Sequence, residues 1–381
     1  MKHQITLVGG QILPVYMGIT EKSPDVVHIL YSKDSKNQFT LLKKSLDNKE
    51  IYSYQIDPFD FEGIKTKVEG IIFDNSKESF ELNLTGGTKI MAIACQQVFN
   101  DLKLPIFYID QKHHLFDILD KRSSQISGRI NIKTFLKLSG HNNYEINEFR
   151  DFTSEEIRLS EFILSQVNES WFKDACYQLY NKGKFKSLKN YSFTVKDVKL
   201  NWNGRTLQFQ SGTRQEVFTS NKAFEISFKG IWWEILIGRA VSKWDRAFEF
   251  KMSLRIKSKI DSTLDKNEID IVLNTGKNLV FIECKSGEVT QHDVNKIKAV
   301  RDLYGGISAR SILVSRKQPS ANIIEKCWEL GIEVFSHEST EKVKKNNKML
   351  FRAFRLTKKT RFIINKTFVV VTVQKQGYLS L

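Results

Sequence analysis

The chain has 381 residues, 41% hydrophobic, 12% aromatic and 27% charged, which is the make-up of a folded protein of about two domains and excludes a disordered or fibrous one. Lys and Arg number 59 against 43 Asp and Glu, a formal charge of +16 that favours a polyanionic partner such as nucleic acid. No apolar run reaches the ~18 residues of a membrane helix, so no membrane partner is expected.

The N-terminus, MKHQITLVGGQ, opens on strand-like sequence without the long apolar run and cleavage site of a signal peptide, so a cytoplasmic protein is expected. Through the first ~120 residues, strands alternate with helices. ITLVGG, VVHILYS, IYSYQID, FELNLTGG and LPIFYID read as strands, each short, β-branched or aromatic, and ending in turn residues. HHLFDILD adds another near the end. The alternation predicts a mostly parallel sheet covered on both faces.

Within this region LNLTGGTKIMAIA, residues 82–94, runs strand, T-G-G-T-K, helix. Glycines let backbone N–H groups approach an anion, and the helix N-terminus adds positive potential. Thr85, Thr88 and Lys89 supply further donors. Gly9-Gly10-Gln11 ends the first strand and is expected along the same carboxyl edge of the sheet, where open α/β folds bind ligands. The stretch is neither a Walker A motif nor a G-x-G-x-x-G fingerprint. The plainer reading is an ordinary strand-to-helix turn.

Residues 146–215 read as a connecting module, placed as a hinge by position alone. TSEEIRLSEFILSQV predicts a helix capped by Thr153 or Ser154, WFKDACYQLYNKGK a second helix, and RTLQFQ a short strand. Cys95, Cys176, Cys284 and Cys327 form no C-x-x-C pair and read as reduced thiols. The histidines lack zinc-hydrolase spacing.

A second α/β unit begins near residue 216. KGIWWEILIGRAVSKW is an apolar helix carrying one acid, Glu234. FEFKMSLRI, NEIDIVLNT and KNLVFIECKSG follow as strands, then a helix over VTQHDVNKIKAVRDLY, the strand SARSILVSR, and a helix and strand over IIEKCWELGIEVFS. From Lys342 to Leu381 the sequence has eleven Lys or Arg and no acid, with Phe351, Phe354 and Phe362 between the charges and a β-prone run, KTFVVVTVQ, near the end. Basic and aromatic residues in alternation suit a nucleic-acid surface.

The Gly-containing turn NTGKN predicts a hairpin that brings Asp270 towards Glu283 and Lys285. Glu283 and Lys285, two residues apart on a strand, share one face. One reading is a wet face with a weak surface pair. The other is a metal site, in which Asp270 and Glu283, supported by Glu234, hold Mg2+ or Mn2+ and Lys285 orients the attacking water or stabilises developing charge. Glu268, two residues before Asp270, is expected at the wet end of the hairpin, and Gln291 is equally a helix-start residue or a ligand.

Asp270, then Glu283-Cys284-Lys285, resembles the D…ExK core of the PD-(D/E)xK nucleases over about residues 216–340. Glu234 matches the helical acid many members carry before that core, and Gln291 resembles a polar residue often found at the start of the following helix. Ile269 stands where the family's Pro is usual. N-x-T-G-G-T-K after a strand is similar to the CARF sensor domains of CRISPR-associated accessory proteins. Together they resemble the ancillary nucleases of type III CRISPR antiviral defence across nearly the whole chain. The resemblance implies an α/β protein with a Rossmann-like CARF domain over residues 1–145 and a restriction-endonuclease-like domain over 216–381. It implies a homodimer activated by a cyclic oligoadenylate, typically cyclic tetra-adenylate, bound by Gly10, Gln11, Asn83, Thr85, Gly86, Gly87, Thr88 and Lys89. The substrates it implies are DNA, single-stranded or nicked duplex, and in some members single-stranded RNA, cut with Mn2+ or Mg2+. The alternative is a ligand-sensing regulator that binds nucleic acid through an inert nuclease fold.

Overall fold

The computed structural model describes residues 1–46, 49–181, 190–244, 247–258, 260–306 and 308–337. The basic segment from Lys342 and its KTFVVVTVQ run lie outside these residues. The chain divides into two compact units. Among the described residues, the first holds those of 1–144 with 274–279 and 300–310, and the second holds the others.

In the first unit the strands are β1 (Lys2–Val8), β2 (Val26–Tyr31), β3 (Glu50–Gln55), β4 (Ser79–Asn83), β5 (Ile106–Ile109), β6 (His114–Asp117) and β7 (Arg122–Gln125). They form one sheet in the order β3-β2-β1-β4-β5-β6-β7. β1 to β5 are parallel, and β6 and β7 are antiparallel additions at one edge. The helices are α1 (Leu13–Lys22), α2 (Lys36–Ser45), α3 (Phe61–Asp74), α4 (Lys89–Asp101) and α5 (Ile132–Leu138). Strand alternation sends Ile5, Leu7 and Leu30 into a core with Ile64, Val68 and Phe99, and sends Val8, Val27 and Ile29 into a second core with Val15, Ile19 and Leu42. A sheet buried on both faces needs apolar residues in both registers, which is why VVHILY and KHQITLV are nearly continuous in burial. The strand order reverses between β1 and β4, so the loops after these two strands meet at the topological switch point.

The second unit starts with β8 (Tyr144–Asn147), α6 (Ser154–Gln166) and α7 (Ser170–Asn181). Thr153 caps α6 by accepting from Glu156 N, and the Glu156 carboxylate accepts from Thr153 N, the reciprocal pair that the T-x-x-E spacing encodes. An antiparallel sheet follows: β9 (Tyr191–Val195), β10 (Val198–Trp202), β11 (Thr206–Ser211) and β12 (Arg214–Thr219). Then come α8 (Ala223–Phe228), α9 (Ile231–Val241), β13 (Glu249–Lys257), β14 (Asp265–Asn274), β15 (Leu279–Lys285), α10 (Gln291–Tyr304), β16 (Arg310–Ser315), α11 (Ala321–Glu329) and β17 (Ile332–Ser336). The main sheet runs β17-β16-β15-β14-β13-β8. Leu159, Ile163 and Trp171 from α6 and α7, Leu207 and Phe218 from the antiparallel sheet, and Trp233 and Ile235 from α9 share one core with Ile271 and Ile282 of the main sheet. The described residues of the segment 146–215 thus pack with the helix that carries Glu234 in one unit, where position alone suggested a hinge.

Candidate functional site

Three elements of the second unit bring the acidic residues together. α9 is seated by Trp233, fully buried, whose Nε1 donates to the Val314 carbonyl of β16 at 3.0 Å. Its N-cap, Gly230, has φ +89, and a Cβ there would lie 2.8 Å from Ser286 Oγ in the turn after β15. That close approach sets Glu234, in the first turn of α9, beside the strands. β14 and β15 are neighbours joined by the predicted turn, in which Thr275 N donates to the Asn278 carbonyl at 3.0 Å and Gly276 has φ +89.

Asp270 Oδ2 accepts from Cys284 N at 2.6 Å, which ties the aspartate across to the Glu-x-Lys strand. Glu283 is buried, and its Oε1 receives Lys285 Nζ at 3.0 Å and Lys296 Nζ at 3.0 Å. Lys285 also meets Asp293 Oδ1 at 3.0 Å. Burial, then the charge on Glu283, pushes the Asp270 carboxyl up to about 7 despite the Cys284 hydrogen bond. Burial, then Asp270, Glu268 and Glu283, pushes Glu234 well above the carboxylate range. Burial opposes the charge on Lys285, but the Glu283 and Asp293 carboxylates overcome it and raise its pKa. The acids therefore crowd one another in a dry place, and a hard cation is what relieves such crowding.

Among the described residues no group of three His, Cys, Asp or Glu side chains forms a ready-made metal cage. The donor set still fits a hard divalent cation, because Mg2+ is commonly held by one or two carboxylates, with waters and substrate phosphates completing the shell. Asp270 and Glu283 are the two that could supply them.

Glu268 is exposed and pairs with Arg255 Nε at 3.1 Å, at the wet end of the hairpin. Gln291 is the first residue of α10, exposed, with no hydrogen bond to Asp270, Glu283 or Lys285 among the described residues. Sequence reasoning missed Asp293 and Lys296. Asp293 Oδ2 accepts from Thr290 N at 2.8 Å and Thr290 Oγ1 at 2.7 Å, so the acid that starts α10 also steadies Lys285. The signal was present as T-x-x-D at residues 290–293, a capping box before a helical run.

In the first unit, the T-G-G-T-K loop is braced from within. Asn83 is buried at the end of β4, donating through Nδ2 to the Val15 carbonyl at 3.4 Å and accepting from Thr85 N at 3.2 Å. Thr85 Oγ1 accepts from Ile109 N at 3.0 Å. Thr88 caps α4 by accepting from Met91 N at 3.2 Å, while its hydroxyl donates to the Pro58 carbonyl at 3.0 Å. A Cβ on Gly86 would lie 2.1 Å from the Leu7 carbonyl oxygen, and Gly87 has φ +79. These positions shape the loop, and Lys89 stands exposed at the start of α4. Gly10 and Gln11, also exposed, follow Gly9, whose Cβ would meet Gly87 N at 3.0 Å. The two predicted ligand segments are thus neighbours at the switch point.

Residues 4–135 match the Card1 CARF domain family, and residues 223–354 match the family of Card1-like endonuclease domains. No curated protein sequence matches the chain. Among solved structures, Can2 from Sulfobacillus thermosulfidooxidans in complex with cyclic tetra-adenylate is similar with a TM-score of 0.67 and 19% identity, over 88% of this chain and 95% of that one. Protein VC1899 from Vibrio cholerae is similar with a TM-score of 0.69 and 15% identity, over 91% of this chain and 96% of that one. A type III CRISPR defence DNA nuclease activated by cyclic oligoadenylate aligns with a TM-score of 0.52 and 16% identity, over 91% of this chain and 52% of that one. The chain therefore joins a Card1-type CARF domain, residues 4–135, to a Card1-like endonuclease domain, residues 223–354, and the D…ExK residues are gathered in the latter.

Proposed function

We propose that the protein is a divalent-metal-dependent nuclease of type III CRISPR defence, switched on by a cyclic oligoadenylate of the tetra-adenylate class bound at its CARF domain. Its substrate is DNA, single-stranded or nicked duplex, with single-stranded RNA as a second candidate, and its working form is a homodimer. The observation that carries the catalytic half is the meeting of Glu234, Asp270 and Glu283, each buried or half-buried, with Lys285 on Glu283. An inert nucleic-acid binder gains nothing from carboxylates that repel phosphate. The sensor half is supported by the glycine-shaped loop at the switch point and by the similar Can2 structure, which holds cyclic tetra-adenylate.

A bound Mg2+ or Mn2+ supplies Lewis acidity at the scissile phosphate and acidifies a water. Asp270 and Glu283 would hold it, and Glu234 would support them from α9. Asp270 is fixed by Cys284 N, so its free oxygen keeps one direction. Lys285, steadied by Asp293, presents a fixed ammonium that orients the attacking water and meets charge developing on phosphate. Glu283→Gln keeps the side-chain shape and removes a ligand charge. Cleavage of single-stranded DNA in Mn2+ should fall by at least ~100-fold while circular dichroism and cyclic tetra-adenylate binding are unchanged. Undiminished cutting by that variant contradicts the assignment.

A further inference from the structure

Glu283 Oε1 carries two ammonium groups, and α10 treats them differently. Lys285 is clamped from both sides, by Glu283 and by Asp293, and Asp293 is itself held by Thr290. Lys296 lies one helical turn beyond Asp293 and has Glu283 as its one ion-pair partner among the described residues. Its side chain keeps 30% of its exposure, while the carboxylate it meets keeps 7%. A long, unbranched ammonium held at one point can turn to another anion at little cost, whereas a lysine held at two cannot.

We infer that Lys296 is a substrate-contacting residue of this nuclease, the cation that grips the backbone phosphate of a bound strand beside the D…ExK cluster. The inference rests on the nuclease reading given above. In this structure Lys296 helps to offset the crowded acids. With Asp270 and Glu283 holding a divalent cation, their charge would be offset without Lys296, whose ammonium would then be available to the substrate phosphate. Lys285 then serves the reacting centre and Lys296 holds the strand.

The test is the salt dependence of binding of a fluorescein-labelled single-stranded DNA to the full chain, with Ca2+ as the divalent probe and cyclic tetra-adenylate present. Each phosphate neutralised by a lysine contributes about 0.7 to the slope of log K against log salt on a single strand. Lys296→Ala should weaken binding about 5- to 10-fold in low salt and flatten the slope by about 0.7. Lys296→Arg should restore both, because charge and reach are retained. In cleavage with Mn2+, Lys296→Ala should raise KM far more than it lowers kcat. A Lys296→Ala slope equal to wild type, with wild type still binding and cutting, overturns this inference and leaves the nuclease reading standing. Loss of binding that Lys296→Arg fails to restore makes Lys296 structural and overturns it as well. Wild-type protein that neither binds nor cuts overturns both.

Discussion

His3 Nδ1 and His28 Nε2 lie 3.0 Å apart in the core of the first unit, with the two rings packed against Phe80. A contact of this kind needs one nitrogen to be unprotonated. Burial, then the neighbouring His3, pushes His28 down to about 4. Below the ordinary histidine value the unfolded chain binds a proton that the folded chain refuses at His28, so the contribution of His28 to stability falls as pH drops from about 6.5 towards 4 and is level above that. The loss from His28 is on the order of 3 kcal/mol at the acid end. His28→Phe keeps the stacking on Tyr52 and removes the titration, so its urea-derived stability relative to the wild type's should rise as pH falls across that window. Parallel curves for the two proteins contradict the argument. Nothing in the sequence revealed this pair, because VVHILY and KHQITLV place the two histidines on neighbouring strands whose register is known only once β1 and β2 are aligned.

The elements were legible where hydrophobic period and punctuation agreed. The five parallel strands of the first unit, the capped helix α6, the apolar helix α9 and the D…ExK hairpin all follow from local pattern plus a cap or a turn glycine. Polar or very short elements were not. β7 reads RSSQ and is exposed throughout, α8 spans only Ala223–Phe228, and β8 sits at a sheet edge where no face need be apolar. Within the site, Asp270, Glu283 and Lys285 were visible because spacing on strands encodes face. Lys296 was not, because its meeting with Glu283 depends on how α10 packs. The loop after β4 shows the same dependence. Its Gly86 and the Gly10 of the loop after β1 look interchangeable in sequence, yet a Cβ on Gly86 meets the Leu7 carbonyl at 2.1 Å while a Cβ on Gly10 meets nothing within 4 Å. Gly86→Ala should therefore cost about 1–3 kcal/mol and lower the thermal midpoint, whereas Gly10→Ala should stay within roughly 0.5 kcal/mol of wild type. Equal midpoints for the two variants would show that the loop is not packed as described.

At the scale of the whole molecule, a glycine-shaped loop at the switch point of one unit and a cluster of acids in the other have no shared chemistry. A ligand at the first can govern the second only if it binds one global state better than another, by roughly 1–3 kcal/mol in ordinary allosteric proteins. Ligand dependence is thus central to the proposed function, and Lys89, exposed at the start of α4, is the side chain proposed to answer the ligand. The direct measurement is cleavage of fluorescent single-stranded DNA in Mn2+, with and without cyclic tetra-adenylate, by wild type and Lys89→Ala. The account predicts cutting by wild type only when the ligand is present, and a Lys89→Ala protein that needs at least ~10-fold more ligand for the same rate. Equal cutting with and without ligand, or a full response from Lys89→Ala, would contradict it.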